Sequence, residues 1–133
     1  MKKIEFETLA AFRSGVRKFL SFSEEAARGQ GLTPQQYQAL LAIEGAPGRR
    51  EITVGELAEQ LRITAHSAVG LADRMEKAEL LQRHASAQDG RQVYVRLTAL
   101  GRRLLAKVAA AHRKELRTAG PLLVDLLERV KHL

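Results

Sequence analysis

The chain has 133 residues, about the length of one domain, and its 45% apolar and 28% charged residues are typical of a globular rather than a disordered protein. It has no cysteine, which excludes disulfides and thiolate chemistry, and its longest apolar run, Ala39 to Ile43, is far shorter than the roughly 18 residues of a membrane-spanning helix. The net charge of +7 indicates a polyanionic partner, but residues 51–100 carry 6 basic and 7 acidic side chains, so total charge alone does not locate one there.

Two helices are predicted in the first third of the chain. The first covers about residues 4–28, where apolar side chains recur at helical spacing, and a pair of glycines ends it. Thr33 and Pro34 supply an N-cap and a first-turn proline for a short second helix that ends at Gly45. Residues 45–50 are predicted to form a loop.

Two short helices separated by about three residues follow, which is the spacing of a helix-turn-helix. Thr53 and Glu56 have the spacing of a capping box for the first of them. Thr64 can cap the second, whose inward stripe has the helical spacing i, i+3, i+4 and i+7: Ala68, Leu71, Ala72 and Met75. The opposite face presents residues that do not belong in a core: His66, Ser67, Gly70, Asp73, Arg74 and Lys77.

A β-hairpin is predicted after these helices. Apolar and polar residues alternate over residues 92–97, and Asp89-Gly90 is a turn signal. Arg83 and Arg91 lie near the bases of the two hairpin strands, one on each.

Two further helices are predicted at the end of the sequence. Thr98 caps a long helix to about Thr118, and Gly120-Pro121 opens a final helix with a wide apolar stripe. We expect that stripe to be buried against another helix, for which a second subunit is a candidate.

Six segments, in this order and at these spacings, resemble the MarR family of bacterial transcription regulators. They are Gly31-Leu32-Thr33-Pro34 with Tyr37 and Leu40, Leu57-Ala58-x-x-Leu61, Val69 to Lys77, Leu80-Leu81-x-Arg83, Asp89-x-Arg91, and Leu97-Thr98-x-x-Gly101. The resemblance covers about residues 31–105.

The resemblance implies a mainly α fold with a small β-hairpin wing. One domain, 1–133, would contain a winged helix-turn-helix at about 33–101, and dimerisation helices at about 1–30 and 102–133. Members act in the cytoplasm as homodimers on pseudo-palindromic double-stranded DNA, more often as repressors, and many are released by a small-molecule effector. The apolar residues expected at the dimer interface are Ile4, Leu9, Phe12, Leu122, Leu123, Leu126, Leu127 and Val130.

DNA contacts are expected from two elements, the recognition helix and the wing. The recognition-helix candidates are Thr64, His66, Ser67, Gly70, Arg74 and Lys77, and the wing candidates are Arg83, Asp89, Gly90 and Arg91. Arg91 leads the wing set, because a cation on a hairpin arm can enter a narrow A·T-rich minor groove.

Several candidates have a second interpretation. Arg74 either contacts phosphate or pairs with a wing carboxylate, and Lys77 contacts phosphate or is only solvated. Asp89 either starts the turn or orients an arginine. At Gly70 the family often has a polar or basic side chain, so the glycine either allows close approach to DNA or reads nothing. The wing tip has Gly90 where the family's Asp-Arg-Arg has an arginine, one cation fewer.

The sequence therefore favours a sequence-specific DNA-binding transcription regulator, with no membrane segment and no cofactor. The alternative is a winged-helix dimer that holds a protein partner without strong DNA affinity, which the acidic balance of residues 51–100 supports. An enzyme is not expected, because no nucleophile–base pair or phosphate-binding loop has the required spacing. His112 and Glu115 lack a third metal ligand and are predicted to lie on a solvated helix face.

Overall fold

The structure, a computed structural model, describes residues 1–88 and 90–133. Within them the elements are α1 (Lys3–Gly29), α2 (Pro34–Glu44), β1 (Glu51–Thr53), α3 (Val54–Leu61), α4 (Ala65–Lys77), β2 (Leu81–Ala85), β3 (Val93–Leu97) and α5 (Ala99–Val130). The predicted fold class, mainly α with a β-hairpin wing, is confirmed. No helix in the described ranges is long and apolar enough to cross a membrane.

The chain forms two compact units. Unit 1 comprises Met1–Gly31 and Val108–Leu133, and unit 2 comprises Leu32–Lys107. The division falls within α5, so each unit contains one part of that helix.

Unit 1 is built from α1 and the second part of α5, which approach closely at Gly15. A Cβ on Gly15 would lie 2.7 Å from Cδ1 of Leu126, a buried side chain of α5. His112 is also buried, with its ring 6.0 Å from the ring of Phe19 and 6.1 Å from that of Phe22. The prediction that His112 lies on a solvated face is wrong, because these two phenylalanines of α1 pack against it.

α5 is continuous through Pro121, so the predicted break at Gly120-Pro121 is wrong. A proline inside a helix removes one hydrogen bond and costs about 3 kcal/mol, although its fixed φ is compatible with helical backbone. Leu123 and Leu126, in the next turn, both reach the surface of α1 at Gly15. The packing of these two leucines against α1 offsets the cost of the proline, so the helix continues.

Unit 2 has a core between the helices and one face of a three-stranded antiparallel sheet, with strand order β1-β3-β2. Its largest fully buried side chains come from α2, α3 and α4 and from two strands: Leu40, Ile43, Leu57, Leu71, Met75, Leu81 and Val95. The first strand, β1, was not predicted. It is three residues long with Ile52 as its one buried side chain, opposite Val95, and so shows no alternation.

Threonine side chains begin four helices, as predicted. Each hydroxyl oxygen accepts a hydrogen bond from the backbone N–H three residues later, at 3.0 or 3.1 Å: Thr33, Thr53, Thr64 and Thr98. These bonds satisfy amides that the first helical turn leaves without partners.

Both helices of the helix-turn-helix end at a left-handed residue that is not glycine. Arg62 after α3 has φ 55°, and Glu79 after α4 has φ 61°. The next amides, of Ile63 and Leu80, donate to the carbonyl five residues earlier at 3.0 and 2.9 Å, which is the Schellman arrangement. The left-handed backbone costs roughly 1–2 kcal/mol at such a residue. In return it turns the chain sharply from α3 into α4 and from α4 into β2.

Gly101 lets the first turn of α5 lie against the end of α4. A Cβ there would overlap the carbonyl oxygen of Leu80. That carbonyl also accepts a hydrogen bond from the Thr98 amide at 3.1 Å, and the Thr98 hydroxyl donates to the carbonyl of Glu79 at 2.5 Å. The contact fixes where the hairpin returns to the helical layer.

We expect Gly101→Ala to destabilise the protein by about 2–3 kcal/mol, because the atom in its way is hydrogen-bonded backbone. Gly120→Ala is the matched control in the same helix, since nothing lies within 4 Å of its Cβ position. That control is expected to change stability by less than about 1 kcal/mol, because the helix preference of alanine over glycine is opposed by the restriction that Pro121 places on the residue before it. Urea denaturation at one protein concentration measures both variants, and equal stabilities would contradict the account.

Candidate nucleic-acid interface

The predicted recognition helix, α4, has the amphipathic pattern that the sequence indicated. Its predicted inward stripe is buried: Ala68, Leu71, Ala72 and Met75. On the other face, four polar residues are exposed: His66, Ser67, Arg74 and Lys77. Gly70 and Asp73 are half-buried between them.

The hydroxyl of Thr64 is used within the start of α4. It accepts a hydrogen bond from the Ser67 amide at 3.1 Å and lies 2.9 Å from the Ser67 hydroxyl oxygen. This leaves His66 and Ser67 as the first-turn side chains that can reach a ligand at the positive end of the helix dipole.

Arg83, at the base of the wing, is bonded to α4 through both its backbone and its side chain. The wing here means β2, β3 and the loop between them. The Arg83 amide donates to Glu76 Oε2 at 2.9 Å, Nη2 donates to Glu76 Oε1 at 3.0 Å, and Nη1 donates to Asp73. The backbone hydrogen bond, followed by the side-chain one, lowers the pKa of Glu76 below its ordinary value. Together these contacts form the Arg83 network, which attaches Arg83 to the recognition helix.

Other acidic side chains of residues 51–100 are also paired. Arg49 donates to both carboxylate oxygens of Glu56, and this contact lowers the pKa of Glu56 to about 2. His84 Nε2 lies 2.6 Å from Glu51 Oε2, and its ring stacks on Tyr94 at 5.5 Å. Because these carboxylates have cationic or imidazole partners, the small excess of acidic residues in 51–100 does not produce a row of unpaired negative charges.

The wing brings Arg91 next to the beginning of α4. A cavity of about 400 Å³ lies between them, and its lining comes from the starts of α3 and α4 and from the wing: Thr53, Val54, Gly55, Ala65, Val69, Arg83, Arg91, Gln92 and Val93. The Ser86 amide closes the hairpin with a 2.9 Å bond to the carbonyl of Gln92. Wing and recognition helix thus share one concave surface that contains two arginines.

The structure adds little about the two wing-tip candidates, Gly90 and Asp89. Gly90 is exposed, with no atom within 4 Å of its Cβ position. Asp89 lies outside the described residues.

The sequence left two interpretations of Arg74, a phosphate contact or an ion pair with a wing carboxylate, and the structure bears on the second. Arg74 makes no ion pair within the described ranges, so the strut between helix and wing is formed by Arg83 instead. Sequence reasoning missed that Asp73 and Glu76 are the partners in this strut. The available signal was their i, i+3 spacing on a helix face close in sequence to a strand arginine.

The chain is similar to one family model and to three solved structures described here. Residues 30–92 match a model described as the MarR family. AbsC, a MarR family transcriptional regulator from Streptomyces coelicolor, is similar with a TM-score of 0.80 and 24% identity, over 100% of this chain and 91% of AbsC. A probable transcriptional regulator from Pseudomonas aeruginosa has a TM-score of 0.68 and 27% identity, over 98% of this chain and 93% of that one.

The third structure is a variant of MepR from S. aureus bound to an oligodeoxyribonucleotide. It has a TM-score of 0.68 and 21% identity, over 91% of this chain and 88% of the MepR chain. No curated protein sequence matches the chain.

We expect Arg83→Ala to loosen the wing without unfolding the rest of unit 2. Amide hydrogen exchange in β2 and β3 should become several-fold faster, because the side-chain part of the Arg83 network is lost. Arg96→Ala is the matched control, since Arg96 is an exposed arginine of β3 with no ion pair in the part of the chain that the structure describes. Equal exchange in the two variants would contradict a positioning role for Arg83.

The effect of Arg83→Ala is also expected to depend on pH. The folded-state pKa of Glu76 is lowered, so the stabilisation is present above the unfolded glutamate pKa of about 4.3 and is lost as pH falls through the folded value. The difference in unfolding midpoint between Arg83→Ala and the parent protein should therefore narrow below about pH 4. A difference that widens on acidification would show the opposite linkage.

Proposed function

Because residues 30–92 match the MarR family model, we propose that the chain is a transcription regulator of this family that binds double-stranded DNA as a homodimer in the cytoplasm. The observation that carries this proposal is the exposed polar face of α4, which lies beside Arg91 while the Arg83 network neutralises the two carboxylates of that helix. A helix of this kind fits the major groove, which admits one α-helix.

The DNA-facing residues divide by what they can contact. His66 and Ser67, in the first turn, are proposed to meet base edges or the nearest phosphate, while Thr64 holds the turn in place. Lys77 is proposed to contact phosphate. Arg91 is proposed to enter the adjacent minor groove, with Asp89 and Gly90 forming the tip of the same wing. Arg83 is reassigned from phosphate contact to positioning the wing.

The dimer is proposed to form through unit 1. Four of the predicted interface residues are exposed in the single chain: Ile4, Leu9, Leu122 and Leu127. Phe12, Leu123 and Val130 are half-buried, and Leu126 is already buried within the chain. Small soluble monomers rarely leave this much apolar surface in contact with water, so a second copy is the expected partner.

A two-fold dimer would present two recognition helices to a pseudo-palindrome, with half-site centres roughly 34 Å apart. We propose that occupancy of such a site represses transcription and that a small-molecule effector relieves it. Because the chain has no cysteine, a thiol switch within it is not the route of relief.

Selection of duplexes from a random library by the full-length protein tests the function. Enrichment of a two-fold symmetric sequence, confirmed by fluorescence anisotropy, is the expected result. A folded dimer that binds no duplex at low salt would contradict the proposal and favour a protein-binding module.

For Arg91→Ala we expect weaker binding to the selected duplex. The slope of log Kd against log salt concentration should also be shallower by up to about one per subunit, because a protein with one DNA contact fewer releases fewer counterions when it binds. Arg113→Ala removes the same charge from an exposed position of α5 in unit 1 and is the control. Identical slopes for the two variants would remove Arg91 from the DNA contacts.

For Leu127→Glu we expect dissociation to monomers, because a charge would replace an apolar side chain that is 52% exposed in the single chain and buried in the proposed dimer. Leu41→Glu is the control, since Leu41 is 46% exposed on α2 in unit 2. Sedimentation equilibrium distinguishes them, and a Leu127→Glu protein that stays dimeric would contradict this interface.

A further inference from the structure

Gly70 has no side chain, and the side chain of Arg74, four residues later on α4, lies next to the space that this leaves. A Cβ at Gly70 would lie 3.3 Å from Nη1 of Arg74, and no other atom outside the helix backbone comes within 4 Å. The guanidinium therefore lies over the helix turn that contains Gly70. It covers the surface that a side chain at residue 70 would otherwise occupy.

Helix geometry explains this placement. Side chains in an α-helix lean toward the N-terminus, so residue i+4 covers the surface above residue i. At about 100° per residue, Arg74 is displaced from Gly70 by about 40° around the helix, toward the flank of the exposed face. Leaning over Gly70 brings the guanidinium from that flank to the centre of the exposed face and one turn closer to the start of α4.

The neighbouring carboxylates leave Arg74 available for an external ligand. Asp73, next to it in sequence, and Glu76 are both bonded to Arg83. In the described ranges Arg74 has no ion pair, and its side chain is exposed. Its five donors are therefore not committed to another part of unit 2.

We propose, on the basis of the proposed DNA-binding function, that Arg74 is a specificity-determining residue that reads a guanine in the major groove through the space left by Gly70. Recognition helices contact base edges with residues of their first turns, and the lean over Gly70 brings Arg74 to that level. A guanidinium matches the O6 and N7 acceptors of guanine with two parallel hydrogen bonds. Gly70 is the residue that permits this reach.

The proposal separates Arg74 from Lys77, the next cation on the same exposed face. Both cations are in the last turn of α4, but the Arg74 side chain lies over Gly70, whereas Lys77 is the final residue of the helix, three positions farther from its start. A phosphate contact there adds affinity to every sequence equally. The two cations should therefore respond differently to a change in a single base.

The test uses the full-length protein and the duplex that it selects, with each guanine replaced in turn, in both half-sites, by 7-deazaguanine, which lacks the N7 acceptor. The parent protein is expected to lose about 5- to 100-fold in affinity at one guanine per half-site. Arg74→Ala should bind the natural and the substituted duplex equally at that position and keep the discrimination at the others. Lys77→Ala, the matched control, should weaken binding to both duplexes by the same factor.

Gly70→Ala provides a second, independent variant. Its methyl group must displace the guanidinium by a few tenths of an ångström, so the discrimination at the same guanine should fall several-fold. Helix α4 should be more stable in this variant, because alanine has a higher helix propensity than glycine. A higher Tm would therefore show that misfolding is not the cause of the reduced discrimination.

Two outcomes overturn the proposal. If Arg74→Ala weakens binding to natural and substituted duplexes by one factor, Arg74 contacts phosphate and the DNA-binding function stands without this inference. If the folded parent protein binds no duplex, the proposed function and this inference fail together.

Discussion

The attachment of Arg83 to Asp73 and Glu76 is the interaction on which the candidate DNA-binding surface depends. It joins the first strand of the wing to the recognition helix through a backbone bond and a charged side chain, so the two elements keep one relative position within unit 2. Charge-assisted hydrogen bonds of this kind are stronger than neutral ones. The same contacts place a positive charge against two carboxylates that would otherwise repel a phosphate backbone. One arginine thus contributes both the geometry and the local charge of the surface.

Local pairing also resolves the conflict between the net charge of +7 and the acidic middle of the chain. Glu51 and Glu56 are bonded to His84 and Arg49, as Asp73 and Glu76 are bonded to Arg83. What a polyanion would meet on α4 is therefore set by individual exposed cations rather than by the sum over the segment. Screening by salt within roughly 10 Å makes these nearest charges decisive.

The sequence was sufficient where local rules decide the structure. Threonine caps and the inward stripe of α4 depend on residues within one or two turns, and both were predicted correctly. It was insufficient where distant residues decide. The strand β1 exists because β3 pairs with it, α5 continues through Pro121 because α1 packs against the following turn, and Arg83 finds its carboxylates through the fold. For the candidate site, the pattern identified the two elements, and only the structure separated Arg83, which positions the wing, from Arg74, which leans over Gly70.

The central claim is that recognition helix and wing act as one surface that reads two neighbouring grooves, twice, in a two-fold complex. Hydroxyl-radical footprinting of the selected duplex tests it most directly, because the radicals cut in the minor groove. Two protected minor-groove tracts related by the symmetry of the sequence are expected, flanking half-sites whose centres are about one helical turn apart. A single asymmetric tract, or specific binding with no minor-groove protection, would contradict it.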